Sequence, residues 1–340
     1  MNNINTNYNI DTNQNQILQN HFRINRMTIL RKACNKIGFL LLFSEIIVMI
    51  VASVMQLLII ATNKYDRTGS TGIDGIPYTL YYIMNDMCEF IAFFVAPIIF
   101  CLIFKFRLKD ALPMNNNKRY NTLLLVLAGY AICTISNFAI EILNSNLSLF
   151  NYKNTTGITL GADTTLEQVV FFISIAIVPA LAEEFLFRGV ILNYLRKFGD
   201  GFAILASAVL FGVFHGNFVQ IPFAFIVGLI CGFLVVKTGS MLPAIFLHLL
   251  NNGTSVVLDI ISNYTTNDMY TLISTAIIFL LTLIGFISIS ILTKKGLSLN
   301  FNNTPNGVNE LCISDKIISF LTNPGCIVII SLLILNAFFV

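Results

Sequence analysis

Runs of about twenty apolar residues recur along the chain, and they restrict its fold more than any other feature. In hydrocarbon every backbone N–H and C=O must be hydrogen-bonded internally, so a lone apolar segment crosses a membrane only as a helix. About twenty residues suffice for the ~30 Å core. The runs are Ile37–Thr62, Tyr78–Phe104, Tyr120–Ser145, Leu166–Leu195, Phe202–His215, Val219–Val236, Met241–Ser262 and Tyr270–Thr293. A ninth, Cys326–Val340, is short and follows Asn323-Pro324-Gly325. The expected fold is all-α: a polytopic integral-membrane bundle of about eight transmembrane helices. Composition agrees, since 56% of residues are hydrophobic and 11% charged, against about 25% charged in soluble domains.

The segments outside these runs are informative mainly through their charge. Residues 1–36 form a polar and basic tail with no apolar signal-peptide core before Ile37. Met1–Gln16, rich in Asn and Gln, is expected to be disordered. Arg23, Arg26, Arg31, Lys32 and Lys36 follow it, an anchor at the membrane interface. Lys105, Arg107, Lys109, Lys118 and Arg119 follow the second run, Arg196 and Lys197 the fourth, Lys237 the sixth, and Lys294 and Lys295 the eighth. The alternate loops hold only Lys64, Arg67 and Lys153. The positive-inside rule then places the amino terminus in the cytoplasm of a multi-pass cell-membrane protein. A net charge of +3 gives no reason to expect nucleic acid as a partner. The seven cysteines form no CxxC pair, so neither a disulfide framework nor a zinc knuckle is expected.

Polar residues divide the membrane region unequally. Residues 37–150 form an amino-terminal region of three helices with isolated acids (Glu45, Asp86, Glu89, Glu141). A polar loop, Asn144–Asp163, leads to residues 164–295, where nearly every unusual polar group lies. Residues 296–340 form a carboxy-terminal segment with room for one further membrane helix. Thr164-Thr165-Leu166-Glu167 has the spacing of a capping box at the start of the fourth helix. Pro179 lacks an amide hydrogen, freeing a carbonyl one turn earlier that a neighbouring helix or water must satisfy.

Inside that fourth run stands Glu183-Glu184-x-x-x-Arg188. One charge at the centre of a membrane helix costs roughly 3 kcal/mol, so ionisable groups there mark a wet cavity or a site. Glu184 and Arg188 are i,i+4 neighbours that can neutralise each other. Glu183 points ~100° away and lacks a local partner, as suits a general base. The next helices carry Phe211-x-x-x-His215 and His248-x-x-x-Asn252, with Asn251 adjacent. A carboxylate, two imidazoles and an amide form a water-activating set. A zinc ion on Glu183, His215 and His248 is the other chemistry these donors allow, although no HExxH is present. By helical rise His248 lies ~10 Å into its helix and His215 ~20 Å along its own from the same side, a mismatch in depth.

The order EExxxR, FxxxH, HxxxN over Glu183–Asn252 resembles the CPBP superfamily of CAAX-processing and bacteriocin-processing (Abi) intramembrane proteases. The resemblance covers about residues 165–262. It implies a helical bundle with a cavity open to the cytoplasm and a peptide or lipidated protein as substrate. It also implies that Glu183 and His215 activate water, that His248 and Asn252 stabilise the oxyanion, and that Glu184 and Arg188 shape the site. A glutamate mechanism requires no cofactor, whereas a metalloprotease mechanism requires Zn2+. Two other readings fit a chain of this kind: a non-catalytic membrane scaffold that keeps the fold, and a transporter using the charges as an ion relay.

Overall fold

A computed structural model describes residues 2–61, 76–114, 120–147, 164–298 and 311–337. Lys64, Arg67, Lys118, Arg119, Lys153 and most of the Asn144–Asp163 loop lie outside the described residues. Among those described, the regular structure is helical, with one isolated bridge between Met114 and Ser240. Besides the single turn Leu108–Ala111, the helices are α1 (Asn2–Ala61), α2 (Tyr78–Ile103), α3 (Thr122–Leu147), α4 (Thr165–Phe198), α5 (Asp200–Phe214), α6 (Gln220–Thr238), α7 (Leu242–Ser262), α8 (Asn267–Lys294), α9 (Ile313–Leu321) and α10 (Pro324–Ala337). Seven are long and apolar enough to cross a membrane, and α9 with α10 makes an eighth if that bent pair is one span. The protein is therefore a multi-pass helical membrane protein.

Three elements differ from expectation. Helix α1 starts at Asn2 rather than after a disordered tail. No Gly or Pro precedes Gly38, so nothing in the polar stretch interrupts a helix begun further along. Helix α5 has 15 residues, ~22 Å of rise, too short for a ~30 Å crossing. The ninth run is the second arm of a pair bent by 65°. The bend follows from Asn323-Pro324-Gly325: the Asn323 carboxamide oxygen caps α10 by accepting from the amides of Gly325 (3.1 Å) and Cys326 (3.3 Å), and Pro324 sits where a helix needs no donor.

Small residues let the helices approach. A Cβ on Gly285 of α8 would lie 2.5 Å from the Leu127 carbonyl oxygen of α3, and one on Gly228 of α6 would lie 2.9 Å from the Ala208 Cα of α5. Such contacts replace the hydrophobic driving force that lipid removes. The α9–α10 pair is fastened to α1: Asn323 donates to the Arg31 carbonyl (2.7 Å), the Gly325 amide donates to Asn35 (2.9 Å), and Arg23 pairs with Asp315 (2.7 Å).

The ends expected on the basic side meet in space. Met241 donates to the Pro113 carbonyl (2.9 Å), Phe106 packs on Tyr194 at 5.5 Å, and the Lys36 ammonium lies 4.2 Å over the Phe104 ring. The tail of α1 and the connections after α2, α4 and α6 thus gather on one face.

Candidate active site

The site is built from the middle of α4. This helix begins as the capping box predicts: the Thr164 hydroxyl accepts from the Glu167 amide (3.3 Å), and the Glu167 carboxylate accepts from the Thr164 amide (3.0 Å). Two wider, π-helical stretches interrupt it, Ile173–Ile177 before Pro179 and Phe185–Leu192 after Glu184. Such bulges concentrate at functional sites. In an ordinary α-helix the amide of residue 179 would donate to the Ile175 carbonyl. Proline cannot, and the Asn252 side-chain amide of α7 donates there instead at 3.0 Å. The Asn252 carboxamide oxygen in turn accepts from the Asn251 amide (3.2 Å).

Charge is concentrated one turn further along. Arg188 and Glu184 are completely buried, with Nη1 and Oε1 3.0 Å apart. The contact is an ion pair without hydrogen-bond alignment, since the guanidinium nitrogens find no hydrogen-bond partner. The ring of Phe211 covers the guanidinium at 4.0 Å, a cation–π contact strengthened where water is excluded. His248 of α7 joins the pair through Nδ1, 3.0 Å from the same Glu184 oxygen. Its Nε2 lies 3.8 Å from Glu183 Oε2. His248 is 4% exposed and Glu183 15%, so Glu183 is the more open of the two carboxylates. A carboxylate accepting from Nδ1 fixes the imidazole and leaves Nε2 as the working nitrogen.

The structure groups these residues differently from the expected pairing. Glu184 and Arg188 are not a self-contained pair, because His248 shares the carboxylate. Glu183 faces His248, whereas His215 is bound through Nδ1 to its own Phe211 carbonyl at 2.9 Å. His215 caps the end of α5, and Gly216 follows with a left-handed φ of 58° that ends the helix there. Phe211 stands between His215 and the rest of the cluster. Its ring is 4.8 Å from the His215 ring and 6.0 Å from the His248 ring, so one aromatic residue bridges the two imidazole levels. The Ser207 hydroxyl, donating to the Phe187 carbonyl (2.9 Å), holds α5 against α4.

Helix α2 brings two further acids that the sequence displayed only as isolated residues. Asp86 accepts from the Ser174 hydroxyl of α4 (2.7 Å). Glu89 accepts from Asn85 (3.1 Å) and lies within Coulombic reach of Glu183. The i,i+3 spacing of Asp86 and Glu89 and the i,i+4 spacing of Asn85 and Glu89 were the available signal. Among the described residues no three His, Cys, Asp or Glu side chains are gathered as a metal ion requires. The donors among the described residues do not fit zinc. A separate cavity of about 830 Å3 between α3, α7 and α8 is lined by residues such as Leu123, Val126, Leu250 and Val257. No ionisable group lines it, so it is not where the chemistry sits.

These features define a class: a helical membrane protein with a buried cluster of carboxylates, imidazoles and an amide beside a proline-freed carbonyl. Residues 165–254, from the start of α4 into α7, match the family model described as type II CAAX prenyl endopeptidase Rce1-like, in line with the CPBP resemblance. No curated protein and no solved structure matches the chain.

Proposed function

We propose that the protein is an intramembrane endopeptidase, working from the cytoplasmic side of the cell membrane on membrane-associated peptides or proteins. Residues 164–295 are its catalytic region, residues 37–150 its supporting membrane region, residues 1–36 its cytoplasmic tail and residues 296–340 its carboxy-terminal segment. The observation that carries this reading is His248, bound to Glu184 through Nδ1 and turning Nε2 toward Glu183. It supports a reaction in which Glu183 takes a proton from water as the oxygen attacks the scissile carbonyl; the assisting role of His215 is carried over from the family resemblance alone. Negative charge then develops on the carbonyl oxygen. His248, when both ring nitrogens carry protons between the Glu184 and Glu183 carboxylates, and the Asn252 amide hydrogen not bound to Ile175 stabilise it. The C–N bond breaks as Glu183 returns the proton to the leaving amine. Arg188, Glu184 and Phe211 hold the imidazole in position, and Asn251 orients Asn252.

CAAX-type processing and maturation or self-immunity of bacteriocins are the substrate classes this reading takes in. Mapping the termini of membrane proteins in a deletion strain, complemented with wild type or with Glu183→Ala, tests it. The expected result is that cleaved termini return with wild type alone. Full cellular function with folded Glu183→Ala and His215→Ala would favour a non-catalytic scaffold instead.

A further inference from the structure

The proposed reaction has no use for a group of aromatic rings and lysines where α1 passes the ends of α2 and α4. Phe100 lies 4.8 Å from Phe104 and 5.2 Å from Tyr194, and Phe106 lies 5.5 Å from Tyr194, ring centre to ring centre. The Lys36 ammonium stands 4.2 Å over the Phe104 ring, and the Lys197 ammonium 4.2 Å over the Tyr194 ring. Exposed Lys105 lies in the chain between Phe104 and Phe106. Its φ of 52° is left-handed, the only such value among the described residues other than glycine. It occupies the position past a helix end that glycine usually takes: the Phe106 amide donates to the Cys101 carbonyl (2.9 Å) and the Lys105 amide to the Leu102 carbonyl (3.4 Å). A side chain is strained there, and an outlier of this kind points to a use for it.

The neighbouring arginines are neutralised. Arg107 donates twice to Asp110 (2.7 and 3.0 Å), and Arg196 pairs with Asp200 (2.8 Å). Lys36, Lys105 and Lys197 form no ion pair with a carboxylate among the described residues. A ring attracts an ammonium without cancelling its charge, so positive charge collects on one aromatic cluster. A tyrosine at the end of a membrane helix sits at headgroup level, and basic pockets between helices there suit phosphate-bearing lipids. We propose that Lys36 and Lys197, with Lys105 held at the rim, bind the phosphate of an anionic phospholipid in the leaflet at the basic face. The rings beneath keep water from one side of the phosphate, which strengthens the attraction. Because Lys36 comes from α1, Lys105 from the end of α2 and Lys197 from α4, the bound lipid ties three helices together.

The test titrates the purified full-length protein in detergent with phosphatidylglycerol, phosphatidylcholine or inorganic phosphate, counting bound molecules by native mass spectrometry. Phosphatidylglycerol should bind more tightly than either of the others, and its affinity should fall about fivefold for each lysine removed in Lys36→Gln with Lys197→Gln. Lys294→Gln with Lys295→Gln removes the same charge from the end of α8 and should bind as wild type does. Lys105→Gly relieves the left-handed backbone, so it should melt at a higher temperature than wild type without lipid, yet bind phosphatidylglycerol less tightly. That variant keeps the test decisive if the double variant fails to fold. Undiminished binding by Lys105→Gly or by Lys36→Gln with Lys197→Gln overturns the proposal, as does an equal loss in the α8 pair, which would make the attraction diffuse surface charge. Inorganic phosphate bound as tightly as phosphatidylglycerol would make a soluble phosphate the ligand and overturn the lipid assignment.

Discussion

At the scale of single residues, the structure turns on what a buried charge needs. Arg188 has one carboxylate and one aromatic face, and Glu184 holds both Arg188 and His248. Removing one member leaves the others charged without compensation, which costs far more than the intact group contributes. Arg188→Met should therefore lower stability in detergent by roughly 3–5 kcal/mol. Glu184→Gln added to it should recover part of that loss, because the orphaned carboxylate disappears. Thermal unfolding of both variants checks this, and an Arg188→Met protein as stable as wild type would contradict it. These residues were legible in the sequence because three charges inside an apolar run have few explanations. Their partners were not. Helical spacing relates residues within one helix, and it cannot tell that His248 of another helix reaches Glu184 rather than Asn252.

At the scale of elements, α4 and α7 are joined where α4 is imperfect. Pro179 removes a donor and Asn252 replaces it at the Ile175 carbonyl, so the kink and the polar face of α7 form one device. Asn252→Ala should cost about 1–3 kcal/mol, the penalty of a buried unsatisfied carbonyl. In a Pro179→Ala background the penalty should shrink, since the restored amide can satisfy Ile175. A double-mutant cycle on unfolding free energies measures the coupling directly, and strict additivity would contradict the link. The sequence displayed the freed carbonyl but not which residue fills it. It also displayed α5 as an apolar run without revealing that the helix stops at Phe214, because Gly216 ends it in a backbone conformation that apolar periodicity does not encode. Asp86 and Glu89 were visible as acids, but only packing of α2 on α4 relates them to Ser174 and Glu183.

At the scale of the molecule, the bundle brings the basic connections to one face and fastens the carboxy-terminal pair to α1. Of the seven cysteines, Cys312 alone is exposed. It precedes α9, whose Asp315 pairs with Arg23 of the amino-terminal tail. If the basic face is cytoplasmic, a membrane-impermeant maleimide should label inside-out vesicles and not intact cells, and Cys312→Ser should abolish the signal. Labelling of intact cells at Cys312 would put the amino terminus outside and reverse the proposed orientation. The class of fold was legible from run length alone, since hydrocarbon leaves the backbone so few alternatives. The proposed chemistry is that this bundle cleaves peptide bonds with Glu183 and His248. Purified protein in liposomes, incubated with a membrane-protein extract from its own deletion strain, tests that claim most directly when new termini are mapped by mass spectrometry. New termini should appear with wild type and be absent with folded Glu183→Ala and His248→Ala, whereas equal cleavage by all three, or none by wild type, would contradict it.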